Sequence, residues 1–420
     1  MKDLLRRRSI LVTLGSGGVG KTTIAAALGV AAAAARRNTA VVTVDPARRL
    51  RDALGLRHLE ANRPLRVDAR RLRSAGLDPA LKLSAMVPDV HGEWDAMVSR
   101  HVPKPALRRR ILENAFYLDL RNRFAGSDAY AALEALYELH SAEQFDIEVV
   151  DTPPASHAFE FLQAPARLAR LLDSRTARWF FQPDLSSAPL PMRIVGRAAR
   201  YAARELEHFV GANSLSSMAE FFSVAADATG RIALRMRRIE SLLRSSAVRF
   251  VLVTTAETSR LREARELMAE MQAERLHLGA IVINRFLDEA IFRGGADAAD
   301  GVLGEISGLR ASLAADGLRD DAASAAVSYL EKYSERAHDL LQRVTRFADE
   351  LPARPPIALV PEIRPGTLAL VALGRIAHFL AAEPVLPVGR ESDASLSDQK
   401  SRASAGSQRR SDRPVAGVSL

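Results

Sequence analysis

Six short apolar runs stand out along the chain: Ile10-Leu-Val-Thr-Leu14, Ala40-Val-Val-Thr-Val44, Ile147-Glu-Val-Val150, Phe250-Val-Leu-Val-Thr254, Ala280-Ile-Val-Ile283 and Ile357-Ala-Leu-Val360. Each is rich in β-branched residues and of strand length, which predicts buried strands. Helical patterns separate them, so the chain reads as an α/β fold: a mostly parallel sheet flanked by helices. Ligands of such sheets bind beyond the carboxyl ends of the strands. The residues expected there are Gly15, Asp45, Asp151, Thr255, Asn284 and Pro361.

Two intervals are too long for simple crossovers. The stretch from Val44 to Ile147 carries helical segments and proline breaks at Pro88, Pro103 and Pro105. A second, mostly helical insert is expected over about 164–244, with apolar patches at Trp179-Phe-Phe181 and Met218–Val224. Those aromatics read either as ordinary helix core or as a face for a partner. Residues 1–388 are expected to form one domain with this helical insert. From 389 to 420 the sequence is polar and reads as a disordered tail.

Composition narrows the chemistry. The 420 residues contain no cysteine, which excludes disulfides, thiolate catalysis and Cys-ligated zinc or iron–sulfur centres. The formal charge is +9, and all but six of the 59 basic residues are arginine. These arginines are mostly interspersed with acids, the pattern of a solvated helical surface rather than a nucleic-acid footprint. The longest apolar stretch, Ile24 to Ala35, falls short of the roughly 20 residues a membrane-spanning helix needs. No targeting segment is evident, and a cytoplasmic location is expected.

The segment Gly15-Ser16-Gly17-Gly18-Val19-Gly20-Lys21-Thr22-Thr23 fits G-x-x-x-x-G-K-[ST] between an expected strand and an expected helix. Glycines let backbone N–H groups turn inward around phosphate oxygens, and the helix N-terminus adds its dipole. Lys21 brings a positive charge to the β- and γ-phosphates, and the Thr22 hydroxyl is a ligand for Mg²⁺. Two carboxylates follow later strands. Asp45 opens Asp45-Pro-Ala47, where it suits holding an in-line water or a water on Mg²⁺; an Asp-Pro turn is the plainer reading. Asp151 ends Ile147-Glu-Val-Val-Asp151-Thr-Pro-Pro154 as a Walker-B-like metal carboxylate, or else caps the next helix.

The loop G-S-G-G-V-G-K-T-T resembles the deviant phosphate loop of the MinD/ParA/ArsA class of dimeric ATPases. Asp45-Pro-Ala-Arg-Arg-Leu-Arg-Asp-Ala-Leu54 is similar to switch I of the ArsA-like ATPases, D-P-A-H-x-L-x-D-A-F. Asp151-Thr-Pro-Pro-Ala-Ser-His157-Ala-Phe-Glu-Phe-Leu162 is similar to their switch II. Val282-Ile-Asn284-Arg285 and Pro361-Glu362-Ile-Arg-Pro-Gly366 resemble their adenine-side segments. Ile111-Leu-Glu-Asn-Ala-Phe-Tyr117 resembles a segment of ArsA-related ATPases of actinobacteria. That family includes arsenite-pump ATPases and guided-entry ATPases that carry tail-anchored proteins.

The resemblance implies ATP and Mg²⁺ as cofactors. It implies that Asp45 positions the attacking water, that Thr22 and Asp151 serve Mg²⁺, and that Asn284, with Pro361 and Glu362, lies at adenine. It also implies a dimeric switch with a membrane-protein client, peripheral at the inner face of a membrane. Two departures qualify it. Without cysteine, thiol-dependent arsenite transport is not expected. At the second loop position, where the class carries a lysine that reaches the partner's ATP, this chain has Ser16. That substitution implies either a weakly active subunit or a heterodimer with a lysine-bearing paralogue. A ParA-like DNA-coating protein is the remaining alternative, with Arg108–Arg110 and Arg235–Arg238 as its basic stretches.

Overall fold

The computed structural model of the chain describes residues 2–44, 49–56, 59–123, 127–152, 162–170, 217, 220–221, 223–287, 319–352, 355–363 and 369–382. Its strands are β1 (Ser9–Leu14), β2 (Thr39–Thr43), β3 (Leu65–Arg66), β4 (Leu83–Met86), β5 (Ile147–Asp151), β6 (Val248–Thr254), β7 (Leu278–Ile283) and β8 (Ile357–Leu359). Its helices are α1 (Lys21–Ala34), α2 (Arg49–Ala53), α3 (Ala69–Ser74), α4 (Val90–His101), α5 (Pro105–Leu112), α6 (Ala115–Arg123), α7 (Ser127–Ser141), α8 (Ala226–Leu243), α9 (Thr258–Ala273), α10 (Asp320–Asp349) and α11 (Ala369–Ala381).

The strands form one sheet in the order β3-β4-β2-β5-β1-β6-β7-β8. Every pairing is parallel except β3 with β4. All six expected strands form, with ends shifted by one or two residues. β3 and β4 are additions, within an interval read from sequence as helical. After β1 the chain builds to one side, returns through β5, and then builds to the other side from β6. The carboxyl end of β1 is therefore a point where the winding reverses, the usual place for a ligand crevice in such sheets.

Both faces of the sheet are covered, so all six positions of β1 are buried. Ile10, Val12 and Leu14 point into one layer, and Leu11 points into the other. The Leu11 layer holds α1, α2 and α11. Eleven of the fourteen residues of α1 are buried, and most are alanine, because the helix lies close between the sheet and α11. At Gly29 a β-carbon would come within 2.3 Å of Val41 Cγ2, so helix and strand approach through a missing side chain.

The opposite layer is larger, built from α4 to α10. Trp94 meets Tyr130 and Tyr117 edge-on, with ring centres 5.5 and 6.4 Å apart. Phe221 packs on Phe116 at 5.4 Å, so this aromatic of the expected insert is core; Trp179, Phe180, Phe181 and Phe222 lie outside the described residues. The buried Glu134 carboxylate sits between Arg100 (3.2 Å) and Arg235 (3.0 Å), tying α4, α7 and α8 together. The expected insert is helical at its two ends, over 162–170 and in α8. The 389–420 tail is outside the described residues. None of the described helices is long and apolar enough to cross a membrane.

Candidate functional site

The loop from Gly15 to Gly20 joins β1 to α1 at the carboxyl edge of the sheet. Its path depends on two glycines. A β-carbon on Gly15 would fall 2.1 Å from the carbonyl oxygen of Val253 on β6, so only glycine lets the loop pass that strand. Gly20 caps α1 with φ 93°, a left-handed conformation that costs other residues about 1–2 kcal/mol. The Gly20 carbonyl then accepts the first helical bond, from Ile24 N at 3.0 Å.

Lys21 is the first residue of α1 and is buried. Its ammonium donates to the carbonyls of Gly15 (2.9 Å) and Ser16 (3.0 Å), curling back over the loop. A fixed positive charge thus sits within the ring of loop backbone, at a helix N-terminus. Thr22 and Thr23 follow in the first turn, both partly exposed.

Asp151 lies at the end of β5 and is wholly buried. Register places it between Thr13 of β1 and Thr43 of β2. Its Oδ2 accepts from Thr43 Oγ1 at 3.1 Å. Thr152 donates to the Thr13 carbonyl at 2.6 Å, and the Val44 N–H to the Asp151 carbonyl at 3.1 Å. Three strand ends are therefore fastened around one carboxylate, one strand from the loop. Asp45 directly follows Val44 in sequence but, like His157, lies outside the described residues.

Asn284 follows β7 and is nearly buried. Its Nδ2 donates to the Val19 carbonyl at 2.8 Å, so the side chain braces the phosphate loop from a strand end two places along the sheet. Beside it, Phe286 N donates to the Val360 carbonyl at 3.0 Å and Glu362 N to the Leu287 carbonyl at 2.7 Å. These bonds bring Pro361 (buried) and Glu362 (exposed) alongside the Asn284 segment. Asn114, in the segment singled out above, has a structural role instead. Its Oδ1 accepts from the N–H groups of Phe116 (3.0 Å) and Tyr117 (3.2 Å) at the start of α6.

Sequence reasoning missed two groups. Thr13, Thr43 and Thr152 carry only a weak signal, hydroxyls at strand ends. Glu263 and Arg260, at the start of α9, carry none. The Ser16 hydroxyl and the Arg260 guanidinium hold the Glu263 carboxyl below the usual carboxylate value. Arg260 Nη1 lies 2.9 Å from Glu263 Oε2.

A glycine loop between a central parallel strand and a helix, with a lysine at the helix start and a buried Asp ending the neighbouring strand, defines a P-loop NTPase. The family model for the anion-transporting ATPases matches residues 7–294, and the chain belongs to that family. It is an ATPase by membership. The uncharacterized protein SCO2128 of Streptomyces coelicolor is 33% identical over 195 residues, covering 46% of this chain and 44% of that protein. The ATPase get3 of Aspergillus terreus is 26% identical over 277 residues, covering 65% of this chain and 72% of the relative. The ATPase GET3 of Kluyveromyces lactis is 23% identical over 282 residues, covering 65% and 70%. The chain thus spans under half the length of the Streptomyces relative.

Proposed function

We propose that this ATPase is a dimeric switch that binds Mg²⁺·ATP on the Gly15–Thr23 loop and couples its hydrolysis to movement of the helical layer. The observation that carries this reading is the Lys21 ammonium held inside a glycine loop beside the buried Asp151. The donors suit Mg²⁺: the Thr22 hydroxyl and the Asp151 carboxylate are hard oxygen ligands. Held by these residues, Mg²⁺ would supply charge neutralisation at the β- and γ-phosphates. Lys21 releases the loop carbonyls to meet the same phosphates, and the loop N–H groups hold them in place. Asp45 accepts a hydrogen bond from the attacking water and orients it. Asn284, Pro361 and Glu362 flank adenine.

Residues 1–388 act as one ATPase unit in this reading, and the helical layer, including the 164–244 insert, meets a membrane-protein client. The protein works in the cytoplasm, peripheral to the membrane. Ser16 favours a second form of the same reading, in which a lysine-bearing paralogue completes the dimer. The test is nucleotide binding by the Lys21→Ala variant. Loss of ATP affinity supports the reading; affinity equal to wild type refutes it.

A further inference from the structure

Along β6 the side chains alternate between the two layers. Val251 and Val253 lie in the layer of α1, and Leu252 and Ala256 lie in the opposite one. Thr254 Oγ1 turns to that opposite layer too, donating to the Arg260 carbonyl of α9 at 3.0 Å. Thr255, between Thr254 and Ala256, therefore falls on the α1 side, where Val19 of the phosphate loop also packs. Two contacts fix its backbone beside that loop. Two residues upstream, the Val253 carbonyl is the atom that a β-carbon on Gly15 would strike at 2.1 Å. Across the sheet, Asn284 N donates to the Thr254 carbonyl at 2.8 Å. Thr254 is in register with Ile283, so Thr255 stands level with Asn284, whose amide reaches Val19.

The Thr255 Oγ1 atom is buried and has no hydrogen-bond partner among the described residues. A buried hydroxyl left unpaired costs stability, whereas an apolar group of the same shape would not. Such a cost, held at the rim of a ligand loop, points to a partner that comes with the ligand. We infer that Thr255 is a nucleotide-binding residue: its hydroxyl donates a hydrogen bond to an oxygen of ATP held on the Gly15–Thr23 loop, between the phosphates and Asn284. Oxygens of the ribose and of the phosphates both accept such a bond. The hydroxyl thus trades stability of the empty protein for affinity toward ATP. The inference rests on the ATP-site reading above.

The experiment compares wild type, Thr255→Val and Thr255→Ser, with Lys21→Ala as control. Valine keeps the β-branched shape and removes the hydroxyl. Urea denaturation without nucleotide is measured for each, with equilibrium binding of Mg²⁺·ATP and of Mg²⁺·tripolyphosphate. Thr255→Val should leave the urea midpoint unchanged or raise it, while weakening ATP binding about 5–10-fold, the worth of one net hydrogen bond. Thr255→Ser should keep most of the affinity. An equal loss for tripolyphosphate places the bond on a phosphate, and a loss confined to ATP places it on the nucleoside; either supports the inference. Unchanged ATP affinity in Thr255→Val overturns it and leaves the ATP site standing. A lower urea midpoint with a parallel loss of affinity also overturns it, because the hydroxyl then holds the fold rather than the nucleotide. Normal nucleotide binding by Lys21→Ala removes the ATP site, and this inference with it.

Discussion

Gly20→Ala tests whether Asn284 braces the phosphate loop. The substitution has two costs. A β-carbon at φ 93° brings the left-handed penalty, about 1–2 kcal/mol. That carbon would also sit 2.4 Å from Asn284 Nδ2, too close for any real contact. The amide must move, and it then loses its 2.8 Å bond to the Val19 carbonyl. A net hydrogen bond of this kind is worth about 1 kcal/mol. Gly20→Ala should therefore destabilise by about 2–3 kcal/mol. Asn284→Ala loses only the bond, about 1 kcal/mol. The double variant has no amide left to displace, so it should cost no more than Gly20→Ala alone. The coupling between the two positions is then about 1 kcal/mol, within the range for residues in contact. Urea denaturation of the four proteins measures it, and ATP affinity should follow the same order. Strict additivity of the two substitutions would refute the brace.

Asp45→Asn should leave nucleotide binding intact while turnover falls by roughly 10²–10⁴, the range for lost acid–base assistance; wild-type turnover would sink the role given to Asp45. His140→Ala should destabilise by about 1–3 kcal/mol, because His140 Nδ1 lies 2.8 Å from Glu148 Oε2 and the wholly buried Glu148 side chain on β5 loses that hydrogen-bond partner. Glu148→Met in the same background should recover most of that loss in a denaturation assay, and no recovery would contradict the account. Burial raises the Glu93 carboxyl above its ordinary value, against the pull of Arg100. A raised folded-state pKa favours folding most at pH below the unfolded carboxylate value, and the advantage is lost as pH rises through the folded value. Glu93→Gln should therefore flatten the stability profile in that window, and an unchanged slope of urea midpoint against pH would argue against it.

What the sequence reveals here depends on how local the cause is. β1, β2, β5 and β7 announce themselves because both faces are covered and apolar, largely β-branched residues dominate them, with Glu148 of β5 a charged exception. β4, Leu-Ser-Ala-Met, has no β-branched residue. It becomes a strand by lying parallel to β2, and it is buried by that pairing rather than marked by its composition. β3 is two residues long and exposed, held only by antiparallel pairing with β4. The site divides in the same way. The glycines, Lys21 and Thr22 are consecutive, so spacing alone displays them. The Asn284–Val19 bond joins positions 265 apart and exists because β7 lies two strands from β1. Ser16 read alone is a missing lysine. Its bearing on the Glu263 carboxyl appears only when α9 is set beside the loop.

Strand order also bears on how a change at the phosphates is passed on. β2 and β5 lie side by side, and their carboxyl ends lead to Asp45 and Asp151. Thr43 ties the two strands at that end, so a pull on one is shared by the other. Beyond β5 the chain enters the helical layer: Leu162 and Leu168 lie in one core with Leu133 of α7, Phe221 and Ile232 of α8. Closely packed side chains of this kind shift as units rather than deform one by one. On the other side of the loop, Thr255 and Asn284 belong to the run from β6 through α9 to β7. In the proposed cycle, the β5 side would carry movement to the helical layer, whereas the β6–β7 side would hold the loop and its charge. Separate elements on either side of the loop would let one ATP be gripped by one half of the sheet and its loss be felt by the other.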